Sequence, residues 1–127
     1  MIQAGMFREP VRIEAPVESQ SETGQMSDEF EDVFPGEDIR AGVRALSGNE
    51  YIAAQQIVSG VTTRITMRYR REINETCRLV HIVDPDQSPP IEDVYDILAV
   101  LPDPVSGRRH INLMCVLRKA EGMRRGR

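Results

Sequence analysis

The chain has no tryptophan, and only three tyrosines and three phenylalanines among its 127 residues. So few rings argue against a protein that works by stacking bases on aromatic platforms. Two cysteines, Cys77 and Cys115, do not make a disulfide framework. The simplest expectation is a chain made and kept in a reducing cytosol. No apolar run reaches the roughly twenty residues of a membrane span, and the N-terminus has no signal-peptide core. No membrane partner is expected.

Histidine is equally scarce, with His81 and His110 the two examples. In regular strands residues 77 and 81 share a face, whereas 110 and 115 fall on opposite faces, so the two Cys and two His do not converge on zinc. Asp84, Asp86, Glu92, Asp93 and Asp96 crowd one region. Their spacing is not that of a calcium loop and two prolines interrupt them, so they read as solvated loop acids. There is no G-x-S-x-G, phosphate-binding glycine loop or paired-cysteine motif. No nucleophile, base or metal set can be named, so neither catalysis nor a cofactor is expected.

What is present is a mean hydropathy of -0.37, 40% hydrophobic residues and 28% charged ones, enough for one soluble domain. The net charge of -4 is unevenly spread. Glu14 to Asp38 holds nine acids and no Lys or Arg. Arg64 to Arg71 holds four Arg and no acid, and Arg118 to Arg127 holds five basic residues and one acid. Charge runs are usually solvated faces. The sharper reading is a subunit with one acidic and one basic side, suited to docking head to tail.

The organising stretch runs from Leu46 to Tyr69. Ser47 suits a helix N-cap, with Glu50 placed to complete a capping box. Tyr51 to Val58 then forms a short helix, ended by Ser59-Gly60. From Val61 the period becomes two: Val61, Thr63, Ile65, Met67 and Tyr69 face inward, and Thr62, Arg64, Thr66, Arg68 and Arg70 outward. Before this stretch, Met6 to Ala15 reads as a strand that either is an edge or starts after Pro10. Ser19 to Glu29 reads as a long mobile loop. Phe30 to Phe34 and Ile39 to Leu46 read as one bulged strand or two pieces around the Pro35-Gly36 turn. Cys77 to Val83, Val94 to Leu101 and His110 to Arg118 complete the strands, with Cys77 to Val83 apolar on both parities and therefore either covered on both faces or placed mid-barrel. Hairpin-like connections imply an antiparallel sheet. The expected fold is mainly β: a small antiparallel barrel of about six strands, one short α-helix across a mouth, and a long mobile loop. Residues 1–118 form the domain, and 119–127 a basic, disordered tail.

The order of parts resembles the head–tail adaptor, or head-completion (stopper), proteins of tailed bacteriophages and prophages. The resemblance is carried by "FREPVRIEAPVES", by "FEDVFPGEDIRAGVRALSGNEYIAAQQIVSGVTTRITMRYR" and by "VYDILAVLPDPVSGRRHINLMCV". Its most specific part is "ALSGNEYIAAQQ" followed by an alternating strand. Two departures stand out. Phe30 holds the first place of the family's aromatic pair, with an extra "PGED" before Ile39, and the "DPDQSPPIED" loop is long. The resemblance implies a structural virion protein, assembled in the host bacterial cytoplasm. It implies a homo-oligomeric ring under the portal that extends the DNA channel, helps retain packaged DNA and docks the tail. The implied partners are the portal or a preceding adaptor, the tail or next connector, copies of itself, and double-stranded DNA passing without sequence-specific binding.

The candidate contact residues are Arg64, Arg68, Arg70 and Arg71 of the Arg row, Glu22, Asp28 and Glu29 of the long loop, and Arg124 and Arg125 of the tail. Two alternatives stay open: a tail-completion or minor tail subunit of similar barrel fold, and a small nucleic-acid-binding β-barrel, which the Arg row would serve.

Overall fold

The computed structural model describes residues 7–17, 29–103 and 107–118. Its elements are β1 (Glu9–Pro16), β2 (Phe30–Asp32), β3 (Ile39–Ala45), α1 (Gly48–Ile57), β4 (Thr63–Arg68), β5 (Arg78–Asp84), β6 (Ile91–Asp103) and β7 (Gly107–Leu117). Every pairing is antiparallel, in the order β2-β1-β3-β4-β7-β6-β5, and β5 returns to β1. The result is a closed six-stranded barrel with β2 as an added strand. Closure leaves the barrel strands no free edge for unwanted pairing.

β1 is therefore not an edge, and it begins before Pro10. The missing proline N–H is tolerated because Pro10 lies outside the span, Val11 to Glu14, that pairs with β5. On its other side β1 meets β3 at Val11↔Ile39 and β2 at Glu14↔Asp32. Three steps along β1 thus face seven along its partner, and the excess is an excursion over 33–38. Gly36, at φ 83, supplies its left-handed turn. The excursion drives Phe34, rather than Phe30, into the core.

Alternation places Ile13, Ile65, Met67, Leu79, Leu113 and Cys115 inside, all fully buried. Burial holds the Cys115 thiol well above its ordinary pKa, so it is an inert core group. Tyr69 breaks the expected pattern: β4 ends at Arg68, and Tyr69 is 48% exposed. In β5, Leu79 and Val80 are both buried, but Val83 is exposed, so double coverage holds for part of the strand only. A bulge in β6 between Ile97 and Ala99 keeps Ile97 and Val100 against the core while Leu98 and Ala99 join a second cluster.

That second cluster holds α1. Ala54, the buried residue of the helix, packs with Leu46, Val61 and Met114. Met114 lies between inward-facing Leu113 and Cys115 and so points outward. The helix consequently lies on the outer side of the β6–β7 wall and not across a mouth. Ser47 is the N-cap, but its side chain makes no capping bond. The expected capping box fails because Glu50 is taken by Arg44 at 2.7 Å and Arg64 at 3.4 Å. The C-cap is Val58, and Gly60, at φ 92, lies two residues beyond it. There Gln55 clasps the exit: its Oε1 accepts from Gly60 N at 2.8 Å and its Nε2 donates to Val61 O at 2.6 Å.

The barrel seam carries an ionic chain. Glu14, 9% exposed, accepts from Arg12 Nε at 2.7 Å and Arg78 Nε at 2.8 Å. Arg12 also donates to both oxygens of Glu92, each at 3.1 Å. By register Val80 lies between Arg12 and Val94, and it is buried although it belongs to the outer face. Arg78 also stacks on Phe30, 3.9 Å from the ring centroid. Burial alone would raise the Glu14 pKa, but the hydrogen bonds from Arg12 and Arg78 outweigh it and the net shift is downward.

A carboxyl with a lowered folded-state pKa contributes stability above its unfolded value, near 4.3 for Glu, and loses it as pH falls through the folded value. Glu14→Gln should therefore cost about 1–3 kcal/mol at neutral pH. It should also flatten the loss of stability below about pH 4, read from denaturant midpoints across pH. Gln55→Ala should remove both clasp bonds, at about 0.5–1.5 kcal/mol each. Amide hydrogen exchange should then quicken in α1 while the barrel strands keep their protection.

Candidate functional site

The strand directions fix which connections share an end. β1, β4 and β6 run one way, and β3, β7 and β5 the other. One end, the helix end, carries α1, the β5–β6 loop and the close of β7. The opposite end carries the 33–38 excursion, the β4–β5 connection and the start of β7.

The predicted Arg row does not act as one surface. Arg64 turns to Glu50, which it shares with Arg44. Arg70 lies past the end of β4 and swings over Phe34, 4.0 Å from the ring centroid, where Glu37 holds it at 3.1 Å. That hydrogen bond lowers the Glu37 pKa and raises that of Arg70. Both arginines are therefore spent inside the subunit. Arg68 and Arg71 are exposed and have no ion-pair partner among the described residues. The cause is parity at the strand end: alternation groups residues 64, 68 and 70, but regular backbone stops at Arg68.

The acidic stretch is likewise partly spent within the subunit. Glu14 and Glu37 are paired as above, Asp38 binds Arg40 at 2.9 Å, and Asp32 accepts from Phe34 N at 2.9 Å. Glu29 is exposed, and its carbonyl accepts from Val17 N at 2.9 Å, joining the two ends of the 18–28 segment. Glu22, Asp28, Arg124 and Arg125 lie outside the described residues, as do most of the Ser19–Glu29 loop and the 119–127 tail.

Arg109, not among the expected contacts, is brought beside the row. Arg68 faces His110 across the β4–β7 ladder, and Tyr69 N donates to Arg109 O at 2.9 Å. Arg68, Tyr69, Arg109 and His110 line a shallow depression at the end opposite the helix. His110 in turn meets the Phe7 ring at 5.2 Å. The sequence signal was slight: adjacent Arg108 and Arg109 directly after the β6–β7 turn. Guanidiniums without an ion pair among the described residues, next to an exposed phenol, suit a ligand bearing carboxylates or phosphates.

The helix end has the opposite character. Among the described residues, six of the seven exposed large apolar side chains belong to it. Ile52 and Ile57 are 60% and 64% exposed, and Tyr51 accompanies them on α1. Val83 and Ile91 flank the β5–β6 loop, and Leu117 closes β7. No three His, Cys, Asp or Glu side chains converge as for a metal ion among the described residues. Among the described residues no helix is long and apolar enough to cross a membrane. The arrangement offers two chemically distinct docking ends.

Comparison with known proteins adds two findings. The family model described as phage head completion protein matches residues 2–118. The solution structure of protein SF1141 from Shigella flexneri 2a is similar, with a TM-score of 0.65 and 26% identity over 91% of this chain and 96% of that one. No curated protein matches the chain.

Proposed function

The chain belongs to the phage head completion protein family, a structural family of the phage head, and from that premise we propose that it is a connector subunit at the head–tail joint. In this reading copies of the chain form a ring under the portal, extend the DNA channel, help retain the packaged genome and present a surface to the tail. It is a virion component with a structural and not a catalytic role, assembled in the host cytoplasm.

The observation that carries the reading is the difference between the two barrel ends. A subunit between two unlike neighbours needs two unlike faces. The cationic end, with Arg68, Arg71 and Arg109, suits an acidic surface, and the apolar helix end suits a partner that is buried on contact. The net charge of -4 also supports passage of DNA, since a net negative wall repels phosphates instead of holding them.

The reading narrows the Arg row. Arg68→Glu/Arg71→Glu/Arg109→Glu should leave thermal stability almost unchanged, because none of the three has an ion pair among the described residues. It should sharply reduce the yield of infectious particles. Arg70→Glu should instead lower stability, because it faces Glu37 and uncovers Phe34. Electron microscopy of lysates from a prophage lacking the gene tests the role itself. DNA-depleted heads beside free, finished tails are expected, and intact tailed particles would refute a head-completion role. Full heads with missing or misshapen tails would place the protein on the tail side. The unpaired arginines also keep a nucleic-acid reading testable: DNA binding by the purified chain with a steep salt slope would favour it.

A further inference from the structure

The outer face of β3, β4 and β7 carries a two-dimensional array of arginines that no single strand reveals. Ala41, Ile65, Met67, Ile111 and Leu113 point into the core and are buried, so the residues that alternate with them point out. Register sets these outward residues in three rows. Arg44, Arg64 and Met114 are level with one another. Gly42, Thr66 and Asn112 form the next row. Arg68 and His110 form the third, and Arg40, one residue before Ala41, stands beside them. Arginine therefore occupies both outer rows, about 13 Å apart, and the row between them is uncharged.

That middle row is low and presents donors. Gly42 has no side chain. Thr66 Oγ1 donates to Asn112 Oδ1 at 2.7 Å, which leaves the Nδ2 donors of Asn112 for another acceptor. At the β6 side the floor is closed by α1, whose Ala54 packs on Met114 together with Leu98, Ala99 and Leu101. The face is thus a short trough with two cationic banks and a wall at one end. Its charges do not balance. Arg44 at 2.7 Å and Arg64 at 3.4 Å share the one carboxylate of Glu50. Arg40 meets Asp38 at 2.9 Å, with both side chains well exposed. Arg68 has no ion pair among the described residues. Exposed pairs of this kind contribute little and give way to a competing carboxylate.

We infer that this trough binds an acidic loop of a different protein, one of the unlike neighbours at the head–tail joint. Carboxylates of the loop pair with Arg40 and Arg68 on one bank and with Arg44 and Arg64 on the other, and its backbone crosses above Gly42, within reach of the Asn112 donors. The inference rests on the reading of the chain as a connector between two neighbours. It extends the acidic contact from the Arg68–Arg109 end onto the side wall of the barrel. A loop tip fits between the banks, whereas a DNA duplex meets the α1 wall and the repulsion of a chain with a net charge of -4.

The test is fluorescence anisotropy with the full-length chain and a labelled short peptide that alternates glutamate with glycine. A glutamine–glycine peptide and a short DNA duplex serve as the other probes. Gly42→Glu places a carboxylate in the middle of the trough; Gly42 is not among the glycines with positive φ, so its backbone accepts a side chain. Arg40→Gln/Arg68→Gln removes one bank and leaves the floor intact. Arg118→Gln, outside the trough, is the control. Thermal melts establish that each variant folds. The glutamate peptide should bind, more weakly as salt rises, and the glutamine peptide should not. Each trough variant should weaken binding roughly tenfold or more, and Arg118→Gln should leave it unchanged. No binding of the glutamate peptide, undiminished binding by both trough variants, or tighter binding of the duplex would overturn the inference. The connector role is read separately by the lysate microscopy: a chain that completes heads but ignores the peptide loses this inference alone.

Discussion

The pairing of β1 with β5 is the constraint on which the rest of the structure depends. It joins the first strand to one that begins more than sixty residues later, Glu14 to Arg78, and it turns an open sheet into a barrel. Without it both strands would present unpaired backbone. Glu14 sits at the seam with a guanidinium on each side, which makes the register specific. A slip of one residue would turn Glu14 into the core and Ile13 into solvent. The Arg12–Glu92 pair adds a second tie across β5 to β6, above the buried Val80. A carboxylate as enclosed as Glu14 would be unfavourable alone; two hydrogen-bonded cations reverse that, and they also make this closure preferable to any near alternative.

The strands were legible wherever one face is wet and the other dry. β4 is the clearest case, because Ile65 and Met67 alternate with Arg64 and Thr66 and no other pattern fits. Closure was legible only indirectly, through the need to hide edges; nothing local in β1 names β5 as its partner. The failures share a cause: a side chain read with its sequence neighbours was claimed by a distant group. Glu50 has the spacing of a capping box, yet two arginines from β3 and β4 hold it. Phe34, read only as the end of a short strand, is delivered to the core by the excursion through Gly36. Arg64 and Arg70 look like exposed members of a basic row until Glu50, Glu37 and the Phe34 ring are placed. Arg109 was missed for the converse reason, since only the β4–β7 register brings it next to Arg68.

The surviving surface is simpler than the sequence suggests. Among the described residues, Glu14, Glu37 and Asp38 of the acidic stretch and Arg64 and Arg70 of the basic row are paired within the subunit. Of the two barrel ends, one keeps arginines with no ion pair among the described residues and the other keeps uncovered aliphatic groups. These two finishes respond differently to conditions. A contact made through Arg68, Arg71 and Arg109 would weaken as salt screens it. One made through Ile52, Val83 or Ile91 would gain from removal of apolar area from water and be less sensitive to salt.

The helix gives the strongest reason to expect a neighbour at the apolar end. It has ten residues, shorter than the roughly twelve to fifteen at which an isolated helix becomes even marginal in water. It buries one side chain, the small Ala54, so the barrel beneath contributes little to holding it. Polar fastenings do much of that work: the Gln55 clasp at one end and Glu50 under two arginines at the other. A helix serving only as a connection between β3 and β4 gains nothing from Tyr51, Ile52 and Ile57 in solvent, since polar residues there would keep the same fastenings. At about 100° per residue the three point in different directions, and Ile52 stands on the side away from Ala54 and the barrel. Its presence is accounted for if a neighbour covers it, and the fastenings then hold Ile52 in position before that neighbour arrives.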